Sequence, residues 1–215
     1  MDILFSVLVT AAIYLIATNL IFYGLAVESP KYTLLHSDSD YEIRLYREVS
    51  WISALVQGTT SFHKSTTDGF HRIHQYIHGA NLNSVQLPMT APVLTNIRPS
   101  STMTVYYIKL FLTKGNPPQP SAELNLQLER GRAQCLAVRK FSGFAEDDNI
   151  KKEMEGLVAS LTKHSPGNTT LKDGITSYTI AQYNSSHHIS GRYNEVWIDV
   201  SGFNIEGCLP KGYDN

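Results

Sequence analysis

The sequence predicts an α+β fold: an antiparallel sheet or barrel with two helices packed on it. Three observations carry this. The Pro-rich stretch Lys114 to Ala122, KGNPPQPSA, cannot join a hydrogen-bonded ladder and divides the chain into halves. Each half then repeats one order, strands, helix, strands, which is how two layers cover one core. Twelve Tyr among 10% aromatic residues suit a β-rich interior. With 215 residues and a formal charge of −1, the chain has the size of one domain and no basic excess to hold nucleic acid.

Residues Ile3 to Val27 are almost wholly apolar, with Asn19 the one strongly polar side chain. Residues 1–26 therefore read either as a secretory signal peptide cleaved after Gly24-Leu25-Ala26, or as an uncleaved anchor long enough to span a bilayer. The cleavage site ending the run favours the signal peptide. Membrane association is expected only if the segment stays. The single folded domain then covers 27–215 and lies outside the cell or in an endomembrane lumen such as the vacuole. Two sequons, at Asn168 and Asn184, agree with glycosylation in that compartment. Cys135 and Cys208 are the only cysteines. They form either one disulfide in an oxidising lumen or two free buried thiols.

Tyr41 to Gln57 alternates Tyr, Ile, Val and Trp with polar residues, and predicts one strand, or two with a bend near Glu48-Val49-Ser50. A helix follows, starting between Ser61 and Asp68. Phe70, Ile73 and Ile77 share one face, and His71, His74 and His78 keep the same spacing beside it. At 100° per residue, His74 lies about 40° from Phe70. Gly79 and the Asn81–Asn83 pair end this helix. Strands are predicted at Met89–Ile97, interrupted by Pro92 at an edge or bulge, and at Met103–Thr113. In the second half, Leu124–Leu128 and Cys135–Phe141 read as strands. Glu146-Asp147-Asp148 opens a helix on which Ile150, Met154, Leu157, Val158 and Leu161 hold helical spacing. Ser177–Tyr183 and Glu195–Val200 close the chain as strands.

No P-loop, GxGxxG, HExxH or CxxC is present, and no nucleophile sits with a base, so a binding protein is expected rather than an enzyme. Arg139, Glu195 and Trp197 read as residues that hold the fold, through a buried ion pair or hydrogen bond and a core aromatic. The apolar helix face edged by imidazoles reads as one wall of a ligand pocket. Three histidines at i, i+3 and i+7 do not chelate a free zinc ion well, because the outer two are too far apart.

Several short motifs occur in a fixed order. They are Tyr41-Glu42-Ile43-Arg44-x-Tyr46, Met89-Thr90-Ala91-Pro92-Val93, Ala137-Val138-Arg139-x-Phe141-Ser142-Gly143-Phe144, and Ala181-Gln182-Tyr183-Asn184 followed by Asn194-Glu195-Val196-Trp197. From about Tyr32 to Val200, this combination resembles the SOUL haem-binding protein family, in the plant-type form that carries a signal peptide. The resemblance implies a distorted antiparallel β-barrel flanked by two helices, built from two βαββ-like pseudo-repeats. It also implies binding of haem or another tetrapyrrole, with contacts on the first helix and the loop between the last two strands. Carried over by position, these are Phe70, His74, Gln75 and Ile77, with His188 and Arg192 in the loop Ser185–Arg192. Leu45 stands where some animal members carry a histidine proposed as an iron ligand. Thr67 and Gln75 stand where others carry basic residues, and His74 where some carry Met. His74 is thus the candidate axial ligand, and Arg72, Arg192 and His188 are candidate partners for propionates.

Two functions follow as expectations. The first is a carrier, buffer or scavenger of haem or a similar flat ligand. The second is a protein-interaction module on the same barrel, with an unknown partner and no haem.

Overall fold

The structure is a computed structural model that describes residues 27–57, 61–99, 102–113, 115–164, 176–184, 191–203 and 205–208. The segment 1–26, Asn168 and His188 fall outside the described residues. In chain order the elements are β1 (Tyr32–Ser37), β2 (Glu42–Tyr46), β3 (Val49–Val56), α1 (Phe62–Ile77), β4 (Val93–Arg98) and β5 (Val105–Leu112). They continue with β6 (Leu126–Gly131), β7 (Gln134–Ser142), α2 (Asp147–His164), β8 (Tyr178–Gln182) and β9 (Tyr193–Asp199).

The strands form one curled antiparallel half-barrel in the order β1-β2-β7-β9-β8-β4-β5-β3-β6. Leaving out β1, this order is palindromic by repeat. In the first half β4, β5 and β3 lie side by side, and in the second β8, β9 and β7 do. The two sets meet at β4 and β8, while β2 pairs with β7 and β6 with β3. Each half therefore lends its first strand to the other half's sheet. The pseudo-repeat predicted from element order is real, and it is interlocked.

Two features differ from the sequence expectation, β1 and the place of Pro92, while the Tyr41–Gln57 run takes the two-strand form. β1 went unpredicted because it is almost wholly exposed, so it shows no apolar alternation. The Tyr41–Gln57 run breaks at Arg47-Glu48, and its two parts pair with different strands. Pro92 is neither at an edge nor in a bulge. It directly precedes β4, an interior strand between β5 and β8, where its missing N–H removes no ladder bond.

Both helices pack on one face of the sheet. Ile52, Ile108, Ile180, Val196 and Ile198 point toward them and are fully or almost fully buried. From α1 come Phe62, Ile73, Tyr76 and Ile77, and from α2 Ile150, Leu157 and Leu161. Gly69, unfavourable in a helix by propensity, allows this approach. A Cβ there would lie 2.6–2.9 Å from three side-chain atoms of Ile108 on β5. The helices also meet each other: Asp147, in the first turn of α2, accepts from the Phe62 N–H at the start of α1 at 3.1 Å. Acid at that position therefore serves two helix N-termini.

Cys135 and Cys208 are joined as a disulfide across a sequence separation of 73 residues, with Cα atoms 5.7 Å apart. It ties the start of β7 to the tail beyond β9.

Candidate functional site

The local sequence defines α1 at both ends. Ser61 caps the start, its hydroxyl accepting from the Lys64 N–H at 3.3 Å, and its carbonyl accepts from the Ser65 hydroxyl at 2.8 Å. At the other end Gly79 takes φ +106°, open to a residue without Cβ. Buried Asn81 then organises the exit. Its amide donates to the carbonyls of Tyr76 and Val85, and its oxygen accepts from the N–H groups of Asn83 and Val85.

The apolar face of α1 is not an open wall. Ile77 is 1% exposed and Ile73 fully buried, both against the sheet, so Ile77 contributes to the core and not to an outer surface. What faces outward is the adjoining stripe. Phe70 is half-buried, and His74 and His78 are exposed. The three rings follow one another along the helix, with centroids 6.0 Å apart for Phe70–His74 and 4.0 Å for the stacked His74–His78 pair. Desolvation, followed by repulsion from His78 and His71, holds the His74 pKa below its ordinary 6.5. Its imidazole is therefore neutral at pH 7 and offers a lone pair. His78 Nδ1 lies 2.8 Å from the His74 carbonyl, and His71 Nε2 lies 3.2 Å from the Gln75 amide nitrogen.

The other expected contacts are placed differently. Arg72 is engaged with the backbone, donating to the carbonyls of Leu55, Leu124 and Asn125. Arg192 is buried, its guanidinium 4.2 Å from the centroid of Phe144, just before α2. That is the end of the molecule where α1 begins. At 1.5 Å per residue, His74 lies about 18 Å along the helix from Phe62, so Arg192 and His74 are not brought together. Asn184 is half-buried at the end of β8, and its Oδ1 accepts from the Tyr193 N–H at 2.8 Å. Among the described residues, no three His, Cys, Asp or Glu side chains converge as a free metal site.

The opposite face, helix-free among the described residues, holds a polar cluster. Alternation along β2 and β9 sends Glu42, Arg44 and Tyr46, and likewise Glu195 and Trp197, away from the helices. Arg44 meets Glu195 in a bidentate pair at 3.1 and 2.9 Å. The carboxylate also accepts from Trp197 Nε1 at 2.6 Å, from the Tyr183 hydroxyl at 2.8 Å and from the Tyr193 hydroxyl. The buried ion pair expected of Glu195 exists, but its cation is Arg44. Arg139 instead reaches Glu153 on α2 at 2.8 Å. A cavity of about 190 Å³ opens beside this cluster. Sequence reading did not single these tyrosines out as a site. The one signal was the place of Tyr46 and Tyr183 within the motifs, with Tyr193 directly before the last of them.

The SOUL heme-binding protein family matches residues 27–199. The chain belongs to this family. Heme-binding protein 2 of Homo sapiens is 29% identical over 164 residues, covering 74% of this chain and 77% of that protein. Heme-binding protein 1 of Xenopus laevis is 28% identical, covering 74% of this chain and 82% of that protein. Among solved structures, the EcmrR C-terminal domain aligns with a TM-score of 0.49 and 13% identity, over 78% of this chain and 96% of that one. Membership supports binding of haem or a related tetrapyrrole in general. The family motifs also acquire a physical reason. The Glu42–Tyr46 motif and the Asn194–Trp197 motif lie about 150 positions apart in sequence, yet their charged residues form one ion pair.

Haem must be tested against these residues. The 190 Å³ cavity is below the roughly 300–1,000 Å³ that encloses drug-sized ligands, so it does not enclose a macrocycle. The outer stripe of α1 fits in another way. It presents a neutral imidazole beside an aromatic ring on an open surface, so a macrocycle would be held on the helix and not swallowed.

Proposed function

We propose that this SOUL-family protein is a secreted or endomembrane-lumen carrier, buffer or scavenger of haem or another tetrapyrrole. The contact surface is the outer stripe of α1: His74 is the axial ligand, and Phe70 and Gln75 flank it. The observation that carries this reading is the Phe70–His74–His78 ring series with a neutral, exposed imidazole at its centre. Iron supplies the open coordination position, and the protein supplies the imidazole and an apolar ring edge. His188 remains the residue to test at the propionates.

Haemin titration checks the reading directly. A Soret shift saturating near one equivalent is expected, and His74→Ala should change its position. The sign of the pH dependence follows from the lowered His74 pKa. The imidazole stays neutral as pH falls through 6.5 and protonates only below it, so the axial signal should persist at pH 6.5 and fade under it. Absence of saturation removes haem as the ligand; an unchanged spectrum in His74→Ala removes only the axial role.

The compartment is part of the proposal. The Cys135–Cys208 disulfide supports an oxidising environment, because cytosolic thiols are kept reduced. Residues 1–26 act as signal peptide or anchor, and Asn168 and Asn184 carry glycans. The N-terminal sequence of the mature protein decides the first point, since a chain starting at Met1 rules out cleavage.

A second reading, a protein-interaction module without haem, is favoured by the loop after α1. Leu82 there is 73% exposed and Met89 43%. It stands if haemin fails to saturate.

A further inference from the structure

The geometry points to a second, separate ligand site on the helix-free face: an aromatic cage for a small organic cation, such as a methylated ammonium group. Its walls are Tyr32, Tyr46 and Trp197 on one side and Tyr183 and Tyr193 on the other, around the cavity of about 190 Å³. The rings are in mutual contact, with centroids 5.3 Å apart for Tyr32–Tyr46, 5.2 Å for Tyr46–Trp197 and 4.9 Å for Tyr183–Tyr193.

The direction of the hydrogen bonds selects the charge of the ligand. Each phenol has one hydrogen. Tyr183 and Tyr193 both commit theirs to Glu195, so toward anything else their oxygens are acceptors only. Trp197 commits its single N–H to the same carboxylate. Arg44 has five N–H groups and five acceptor contacts. Nε donates to Glu42, two N–H groups donate to the Glu195 carboxylate and one to the Tyr46 oxygen, while Nη2 also lies 2.6 Å from the Glu42 carboxylate. Lys140, at the mouth, is paired with Glu42. Among the described residues that line the cavity, the charges of Arg44 and Lys140 are matched by those of Glu42 and Glu195, so an anion meets no net positive charge here. A cation meets the negative faces of several rings and the lone pairs of two phenols. Arg44 illustrates the attraction, with its own guanidinium 4.4 Å from the centroid of the Tyr32 ring. Burial, followed by the charge of Glu195, pushes the Tyr183 hydroxyl up, so it stays protonated and keeps its bond to Glu195.

The volume limits the guest to a small group. A tetraalkylammonium head or one substituted ring fits; a macrocycle does not. The site therefore does not overlap the haem surface on α1, which lies across the sheet.

Three probes test this on the mature protein: phenyltrimethylammonium, its neutral isostere tert-butylbenzene, and the anion benzoate. Trp197 fluorescence, read in a Trp51→Phe background, reports occupancy, because Trp51 and Trp197 are the only tryptophans. The cation should bind saturably, at least about 3-fold more tightly than its neutral isostere, and benzoate should not saturate. Tyr32→Leu should weaken the cation about 2- to 5-fold and leave the neutral probe unchanged. Tyr32 is 45% exposed, so this variant keeps the fold. Equal or tighter binding of tert-butylbenzene or benzoate, or no saturation by the cation, overturns the proposal.

Discussion

The two faces of the sheet bury their residues by different physics. On the helix-covered face, aliphatic side chains from α1, α2 and eight strands exclude water with few polar groups among them. Stability there comes from apolar area and close packing, which tolerates similar volumes and penalises a misplaced methyl. On the opposite face, no helix of the described residues covers the sheet. The same burial is achieved by one ion pair wrapped in aromatic rings, with Arg44 at 2% and Glu195 at 1% side-chain exposure. Such a cluster depends on every partner being present, because a buried charge left alone is expensive. The first face is therefore adaptable in chemistry and strict in shape. The second is strict in chemistry and leaves an opening.

The largest test of this contrast is Arg44→Met. It leaves Glu195 buried without its cation and should cost about 3–5 kcal/mol in urea unfolding. Adding Glu195→Gln should return most of that loss, since the amide oxygen still accepts from the rings. If the double variant is no better than the single one, the loss was packing and the two faces are alike. Gly69→Ala tests the other face. Its Cβ would sit 2.6 Å from Ile108, and the expected loss is about 1–3 kcal/mol despite better helix propensity. A gain in stability would mean that shape is not strict there. The smallest effect is expected from Glu42→Gln. Burial alone would raise the Glu42 pKa, but its bonds to Lys140 and Arg44 lower it overall. A carboxylate depressed in the folded state contributes stability above its unfolded pKa and loses it as pH falls through the folded value. Glu42→Gln should therefore flatten stability against pH in the acid range below about 4.5 and change little at pH 7.

Legibility followed the same division. The α2 spacing of Ile150, Leu157 and Leu161 and the stop at Gly79 were readable, because periodicity and φ preference are local properties. The start of α1 at Phe62 was readable only to within Ser61–Asp68, since Ser and Thr fill its first turns and the acid that accepts from its first N–H, Asp147, lies 85 residues away. Phe70 and His74 were found as neighbours on one helix. Ile77 was misplaced because helical spacing shows which residues share a face and not what covers that face. The tyrosine cage was missed because Tyr32, Tyr46, Tyr183 and Tyr193 come from four separate segments.

The sequence by itself determined the fold class, the two-helix repeat, the family and the identity of the exposed His74 stripe. Each of these rests on spacing within about twenty residues or on the order of short motifs. Only the tertiary structure decided that the halves exchange their first strands, that Arg44 and not Arg139 holds Glu195, and that the helix-free face has a cavity. Those outcomes depend on strand partners far apart in sequence, and a residue's own neighbours carry no record of which distant strand will lie beside it.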